Sequence, residues 1–283
     1  MHAYIIWGLG AAVAWGTADF CAKKAATALG SWPTVWGMNA VGALALAILW
    51  SAGTFTVAAG QVSWLLLLGV GNAIGGVFFY YALEFGPLVL VSPITAAYPV
   101  VSALLAYLLS GERLGAAVAA AVGGVIAGTL LAGTGAPPAA TAPAGRRSRP
   151  ALVAAALGAV TFGTVFYFLA AGAARSSPAA PVLMFRLAGA ALLALPLLWG
   201  QRLPRGLYRS GWLWATGLLD SFAYLLYAEA ARHTAVSVVS ALSGLFTIWT
   251  LLLAIVFLRE RLRWWQWCGV VLIVAAIAAL ALQ

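Results

Sequence analysis

Long apolar runs separated by short polar segments follow one another along the whole chain. A helix needs about 20 residues to cross a hydrocarbon core about 30 Å thick. Ten runs have roughly that length: 4–23, 32–52, 62–85, 88–109, 115–133, 151–172, 178–199, 211–231, 234–258 and 264–282. Strands of an outer-membrane barrel would alternate apolar and polar residues, and these runs do not. The pattern predicts an all-α, polytopic membrane protein with ten transmembrane helices.

The start of the chain bears on the first of these helices. No Lys or Arg precedes the first run, whereas Lys23 and Lys24 follow it. A secretory signal peptide carries its positive charge before the apolar segment. We therefore expect the first run to be retained as a helix.

The composition points to lipid rather than water as the solvent. Of the 283 residues, 64% are hydrophobic and only 7% are charged, whereas a soluble domain carries roughly 25% charged residues. The mean hydropathy is +1.02. These values exclude a cytosolic enzyme, a secreted disulfide-rich domain and a disordered tail.

Charge and cysteine content narrow the expected partners. The net charge of +9 comes from short basic clusters between the apolar runs rather than from one basic face, so we expect a lipid bilayer and not nucleic acid as the partner. Cys21 and Cys268 lie far apart in apolar runs without metal-ligand spacing. We expect both to be small core residues, and we expect no metal or cofactor.

The chain contains an internal duplication. Three short segments recur in the same order at an offset of 147 or 148 residues: 12–17 with 159–164, 38–43 with 185–190, and 111–114 with 259–262. Each match is weak alone, because Ala, Gly and Leu are abundant, but three in order at nearly constant offset indicate two repeats.

A polar segment at 134–150, with four prolines and three arginines, separates the two halves and is predicted to be a linker. We assign a first five-helix repeat to 1–133 and a second to 151–283. Five is an odd number, so the second repeat must enter the membrane in the opposite orientation. Inverted repeats of this kind are typical of secondary transporters, with the substrate site near the midplane between them.

Short motifs extend this interpretation. W-G-T stands at 15–17, F-R at 185–186, and E-R-L at 112–114 and 260–262. With the two five-helix repeats, these motifs resemble the drug/metabolite transporter superfamily, more narrowly its ten-helix EamA-type branch. The resemblance implies a transporter in the inner (plasma) membrane whose relatives export amino acids or other metabolites, or take up small organic solutes.

The chain departs from its own repeat pattern at two places. Asn39 stands where the second repeat has Arg186, and Thr247 stands where the first repeat has Pro99. These departures mark positions where the two halves differ chemically.

Three charged residues, Asp19, Arg186 and Asp220, lie within apolar runs and away from the run ends. Asp220 has no basic residue three or four positions away. Depth can be counted from the membrane face where the seventh run begins and the eighth ends, at 1.5 Å per residue. Arg186 then lies about 12 Å deep and Asp220 about 16 Å deep. The two residues can therefore pair across neighbouring helices. If Asp220 is unpaired, desolvation would favour its protonated form and suit proton coupling. Asp19 either pairs with Lys23, four residues on, or faces a cavity together with Trp15.

Two equivalent stripes of small and hydroxylated residues lie in the fourth and ninth runs. They consist of Ser92, Thr95, Pro99 and Ser102, and of Ser240, Ser243, Thr247 and Thr250. Such stripes either pack helices closely or line a cavity. Gly124 and Gly128 form a G-x-x-x-G spacing that predicts close helix packing, within a monomer or in a homodimer.

We predict a secondary transporter that moves a small organic metabolite, such as an amino acid, outward by alternating access. Arg186 would meet a carboxylate, and Asp19 or Asp220 an ammonium group. The predicted substrate-binding residues are Trp15, Asp19, Tyr81, Tyr98, Phe162, Arg186, Asp220, Tyr224 and Ser240.

Two alternatives stay open. One is a proton-coupled carrier of a small organic cation, which would use cation–π contacts. The other is a membrane scaffold or an intramembrane enzyme. The sequence contains no Walker loop, metal-ligand cluster or catalytic triad, so we expect no enzyme and no catalytic residues.

The distribution of positive charge predicts the orientation of the chain. Odd-numbered connections between the runs hold eleven of the 15 Lys and Arg residues, and even-numbered connections hold three. Positive charge gathers in cytoplasmic loops, so both termini are expected outside. A reporter that is active only in the cytoplasm should stay inactive when fused to either terminus and should be active when inserted at 134–150. Activity at a terminus would contradict this orientation.

Overall fold

The computed structural model describes a helical protein. It covers residues 3–110 except 54, 57 and 58, then 148–172, 177–233 and 242–281, and isolated positions at 116–131 and 239. Over these residues the chain forms no strand. The helices are α1 Ala3–Leu29, α2 Ser31–Ser51, α3 Val62–Phe85, α4 Leu88–Thr95, α5 Tyr98–Ser110, α6 Ser148–Gly172, α7 Ala179–Leu198, α8 Gly211–Ala231, α9 Phe246–Phe257 and α10 Trp264–Ala281. The predicted all-α class is confirmed.

The helices follow the apolar runs. Six helical stretches of the described chain are long and apolar enough to cross a membrane, and shorter apolar helices cover Leu242–Phe257 and Trp264–Ala276. Because α4 and α5 share the fourth predicted span, the described helices occupy nine of the ten predicted spans. The fifth span, 115–133, lies mostly outside the described residues, so the count of ten is not confirmed.

The fourth span is broken between α4 and α5. Pro99 has no backbone N–H, and its ring would clash with the carbonyl group of Thr95, four residues earlier. Helix α4 accordingly ends at Thr95. In the second repeat the helix is also interrupted just before α9, at Leu245, where Gly244 weakens the helix although Thr247 replaces the proline.

Close helix contacts relate the two repeats by a two-fold pseudosymmetry. A Cβ atom on Gly16 would lie 2.9 Å from the carbonyl oxygen of Phe246, and one on Gly163 would lie 2.6 Å from that of Tyr98. Gly16 and Gly163 are equivalent positions, as are Tyr98 and Phe246. The same pair of equivalent positions is therefore in contact twice, each time with the roles of the two repeats exchanged. A two-fold axis produces this reciprocal contact.

The hydroxyl stripes contribute to the same helix contacts. Ser102 donates to the carbonyl oxygen of Gly163 at 2.8 Å, and Thr250 donates to that of Gly16 at 3.5 Å. The bonds are equivalent in the two repeats, so these two hydroxyls act in helix packing. Gly128 of the predicted G-x-x-x-G pair packs within the same chain, because a Cβ there would lie 2.7 Å from the carbonyl oxygen of Gly269.

The surface of the molecule is largely apolar, and its apolar interior also buries several polar side chains. Large apolar side chains such as Ile6, Leu198 and Trp264 are more than two-thirds exposed, as expected for a surface that contacts lipid. Asn39 and Arg186 are almost completely buried. Polar side chains at this depth face a partner or a cavity, and here they surround the centre of the helix bundle.

Candidate functional site

A cavity lies at the centre of the bundle, between the two repeats. It has a volume of about 70 Å³, enough for several water molecules or for part of a small organic molecule. Its walls come from α1 to α5 of the first repeat and from α6, α8 and α9 of the second. Half of its lining residues are aromatic.

The structure brings most of the predicted site residues to this cavity. Those that line it are Trp15, Asp19, Tyr98, Phe162, Asp220 and Tyr224. Arg186 lies directly behind Asp220 and is fully buried. Tyr81 points away, with its ring 4.8 Å from that of Phe85, and Tyr80 lines the cavity in its place. Ser240 lies outside the described residues.

Arg186 on α7 and Asp220 on α8 form the ion pair that their depths allow. Nη2 of Arg186 donates to Oδ2 of Asp220, and Nε donates to the hydroxyl of Ser221 at 3.0 Å. The guanidinium group also lies 5.2 Å from the centre of the Tyr224 ring. Both charges are therefore met by protein groups, as buried charges require. Proton coupling through Asp220 was expected only if this residue were unpaired, and it is paired.

The first repeat carries neutral amides at the equivalent positions. Asn39 is equivalent to Arg186 at an offset of 147, and Asn72 is equivalent to Asp220 at 148. Both asparagines are buried and line the cavity. Asn72 accepts a hydrogen bond from the hydroxyl of Tyr224 at 2.7 Å. At these two positions the second repeat is charged and the first is neutral.

Asp19 on α1 does not pair with Lys23. Nζ of Lys23 donates to the carbonyl oxygens of Leu83 at 2.6 Å and Gly86 at 2.9 Å. The carboxyl group of Asp19 instead lines the cavity with 7% of the residue exposed. Of the two readings that the sequence leaves open, the contacts favour a cavity residue.

Stacked aromatic rings form one wall of the cavity. The ring of Phe166 lies 4.8 Å from that of Tyr98 and 5.7 Å from that of Tyr224, nearly parallel to the latter. Trp15 meets Tyr224 edge-on at 5.1 Å. Such ring pairs hold each other in place and present both π faces and ring edges to an occupant.

Polar contacts join the repeats at the membrane face near Lys23. Glu260, in the connection between α9 and α10, accepts hydrogen bonds from the backbone N–H groups of Leu88 at 3.1 Å and Val89 at 2.9 Å. These donors belong to the start of α4, where a carboxylate is favoured. Burial raises the pKa of Glu260, and the two N–H groups and Lys23 act in the opposite direction.

Glu84 completes this set by accepting a hydrogen bond from the backbone N–H of Ser31 at 2.6 Å. We call Lys23, Glu84 and Glu260 the latch. The latch is not duplicated, because the second repeat has Ala170 at the position equivalent to Lys23 and Arg232 at that equivalent to Glu84. The polar contacts at this face therefore have no equivalent built from the same residue types in the other repeat.

Sequence reasoning missed several cavity residues, among them Asn72, Tyr80, Phe166 and Phe246. Asn72 had a signal, since it falls opposite Asp220 when the third and eighth runs are aligned at an offset of 148. Phe166 had one too, as the equivalent of Asp19 at 147. Both signals become informative only once the two repeats are known to share one cavity.

Comparison with known proteins finds the same duplicated unit. The model of the EamA-like transporter family matches residues 2–134 and again residues 149–282. A solved structure described as "Crystal structure of protein" covers 99% of this chain and 96% of its own, with a TM-score of 0.68 and 20% identity. At that identity the likeness shows the fold alone. No curated protein matches the chain.

The ion pair gives a testable prediction about stability. Replacing Asp220 in Asp220→Asn leaves the buried guanidinium of Arg186 without its anion, which should lower the free energy of unfolding by about 3 kcal/mol. The double variant Arg186→Met/Asp220→Asn removes both charges at similar volume and should recover most of that loss. Thermal unfolding in detergent measures both. A single variant as stable as the wild type would contradict this role.

Proposed function

Because this chain belongs to the EamA-like transporter family, we propose that it is a secondary transporter that works by alternating access at the central cavity. Membership makes it a multi-pass membrane transporter of small molecules. The observation that carries the mechanism is that both repeats line one cavity. When two pseudosymmetric halves share a site, rocking one against the other changes the side to which that site is open.

The proposed substrate is a small organic metabolite with an amino group. Amino acids and organic cations are the two classes that the sequence favours, and both carry an ammonium group. The small volume and the aromatic walls suit a compact solute with an apolar part. The proposed direction is export across the inner (plasma) membrane, which is one of the two directions found among drug/metabolite transporters.

The latch supports alternating access as the mechanism. Glu260 of the second repeat is bonded to the start of α4 in the first repeat, and Lys23 is bonded to the end of α3 and the residue after it. The bonds of Glu260 join the two repeats at the membrane face near Lys23, whereas those of Lys23 lie within the first repeat. Opening of that face would require the bonds of Glu260 to break, so they act as a gate between the two repeats.

A second candidate is a proton-coupled carrier of a small organic cation. Asp19 favours it, because its carboxyl group lies in the cavity and Lys23 is engaged elsewhere. A carboxyl group that binds either a proton or the substrate couples the two movements. In this candidate Asp19, and not Asp220, carries the coupling.

Transport by the purified protein in proteoliposomes tests the function. We expect saturable uptake of at least one member of a mixed panel of amino acids, amines and other metabolites, absent from protein-free liposomes. Acceleration by an imposed pH gradient, at clamped membrane potential, would favour the proton-coupled candidate over transport without protons. A panel without any saturable flux would contradict the transport proposal.

Accessibility of Cys21 tests the gate. Cys21 is buried on α1, and Cys268→Ala leaves it as the only thiol, since the chain has two cysteines. Glu260→Ala removes the acceptor for two helix N–H groups. Loss of such a cap costs about 1 kcal/mol, so maleimide labelling of Cys21 should accelerate roughly fivefold.

Glu229→Ala is the matched control, because Glu229 pairs only with Arg232 and His233 near the protein surface among the residues described. It should leave the labelling rate unchanged. Equal rates for Glu260→Ala and the unmodified Cys268→Ala protein would contradict the gate.

A further inference from the structure

The charge of the cavity is set by Asp19 and not by Arg186. The guanidinium group of Arg186 contacts Asp220, Ser221, the ring of Tyr224 and the Sδ atom of Met38, and Arg186 is fully buried. The pair therefore adds no net charge to the cavity. The other ion pairs of the described chain involve Glu229, so within it Asp19 has no ion partner.

Asp19 also has an unused acceptor. The hydroxyl groups of Ser92 and Thr250 lie beside its carboxyl group, yet its Oδ2 atom accepts no hydrogen bond from any described residue. A buried acceptor without a donor is costly in a low-dielectric interior. A ligand that donates a hydrogen bond and carries positive charge would remove that cost.

Asn39 lines the same cavity but turns its amide toward a neighbouring helix. Its Nδ2 atom donates to the carbonyl oxygen of Val35 at 2.7 Å, which fixes the amide orientation, because the flipped amide would set two oxygens against each other. The remaining Oδ1 atom is buried against α7, since a Cβ atom on Gly189 would lie 2.5 Å from it. Asp19 therefore supplies the acceptor oxygens that face an occupant.

The aromatic walls agree with these acceptors. The rings of Trp15, Tyr98, Phe166 and Tyr224 line the cavity together with four further aromatic residues. The negative face of an aromatic ring attracts a cation by about 0.5–2 kcal/mol, more when the cation is desolvated, and it repels an anion. An anionic substrate would also face Asp19.

We propose that the cavity selects a compact organic ammonium ion, held by Asp19 as its ion partner and by the aromatic rings of the cavity wall. The inference rests on the proposed transport function and specifies its substrate class. A substrate carboxylate meets no Lys or Arg among the described residues that line the cavity, and Arg186 behind them is paired with Asp220. A simple ammonium ion should therefore bind more tightly than an amino acid of the same shape.

Calorimetric titration of the purified full-length chain in detergent tests this selection. Four compounds share a phenyl ring and one attached carbon: benzylammonium, phenylglycine, benzyl alcohol and phenylacetate. We expect benzylammonium to bind at least about tenfold more tightly than each of the other three, because it alone combines the positive charge with the absence of a carboxylate.

Variants assign the selection to its residues. Asp19→Asn should weaken benzylammonium binding at least about tenfold, whereas Asp19→Glu, which keeps the charge, should retain the order of the four compounds. Phe162→Leu, which removes one aromatic ring from the cavity wall, should weaken binding by a smaller factor, and it tests the site even if Asp19→Asn does not fold. Glu229→Gln removes an acid at the surface and should leave affinity unchanged.

The outcomes separate this inference from the transport function. The ammonium selection is overturned if phenylglycine, benzyl alcohol or phenylacetate binds as tightly as benzylammonium, if none of the four binds, or if Asp19→Asn keeps full affinity. Transport of other metabolites in that case would leave the transport function standing. Benzylammonium binding that depends on Asp19, without flux of any compound in proteoliposomes, would instead overturn the transport function and keep the ammonium site.

Discussion

The buried ion pair between Arg186 and Asp220 organises the centre of this protein. Lipid offers no water to a guanidinium group, so the charge must be met by protein groups or cost several kcal/mol. Arg186 meets Asp220 and Ser221 on α8, and it lies against Tyr224. Tyr224 in turn donates to Asn72 on α3 and stacks on Phe166 of α6. The partners that neutralise Arg186 are thus connected by hydrogen bonds and ring contacts to the wall of the cavity.

Properties that depend only on position along a helix axis were predictable from the sequence. Apolar length located the helices, and depth counted along two runs allowed the pairing of Arg186 with Asp220 before any contact was known. Properties that depend on rotation about a helix axis were not: Tyr81 was predicted in the cavity, yet its neighbour Tyr80 lies there, because adjacent residues differ by about 100° around a helix of 3.6 residues per turn. Neutral residues such as Asn72 attract little notice in a sequence, although a bilayer makes a buried amide as dependent on partners as a charge.

Duplication has preserved the packing between the repeats while the chemistry has diverged. Gly16 and Gly163 make equivalent contacts in the two repeats. Any side chain at either position would collide with a neighbouring helix. At the centre, Asn39 and Asn72 of the first repeat are equivalent to Arg186 and Asp220 of the second. Asp19 on α1 has the aromatic Phe166 as its equivalent. The close contacts between helix backbones are the same in both repeats, whereas the side chains that line the cavity differ. The result is a single asymmetric site inside a symmetric frame.

The unduplicated latch has a consequence for the apparent affinities on the two sides of the membrane. In the proposed alternating-access cycle, the bonds of Glu260 to the start of α4 hold one face closed, and the second repeat has neither Lys nor Glu at the positions equivalent to Lys23 and Glu84. The conformer closed at that face would then be the more populated one at rest. Apparent affinity equals intrinsic affinity multiplied by the populated fraction, so the opposite side should show the lower half-saturation concentration. The gradients alone still fix the final distribution of solute, and the latch decides at which concentration each side becomes saturated.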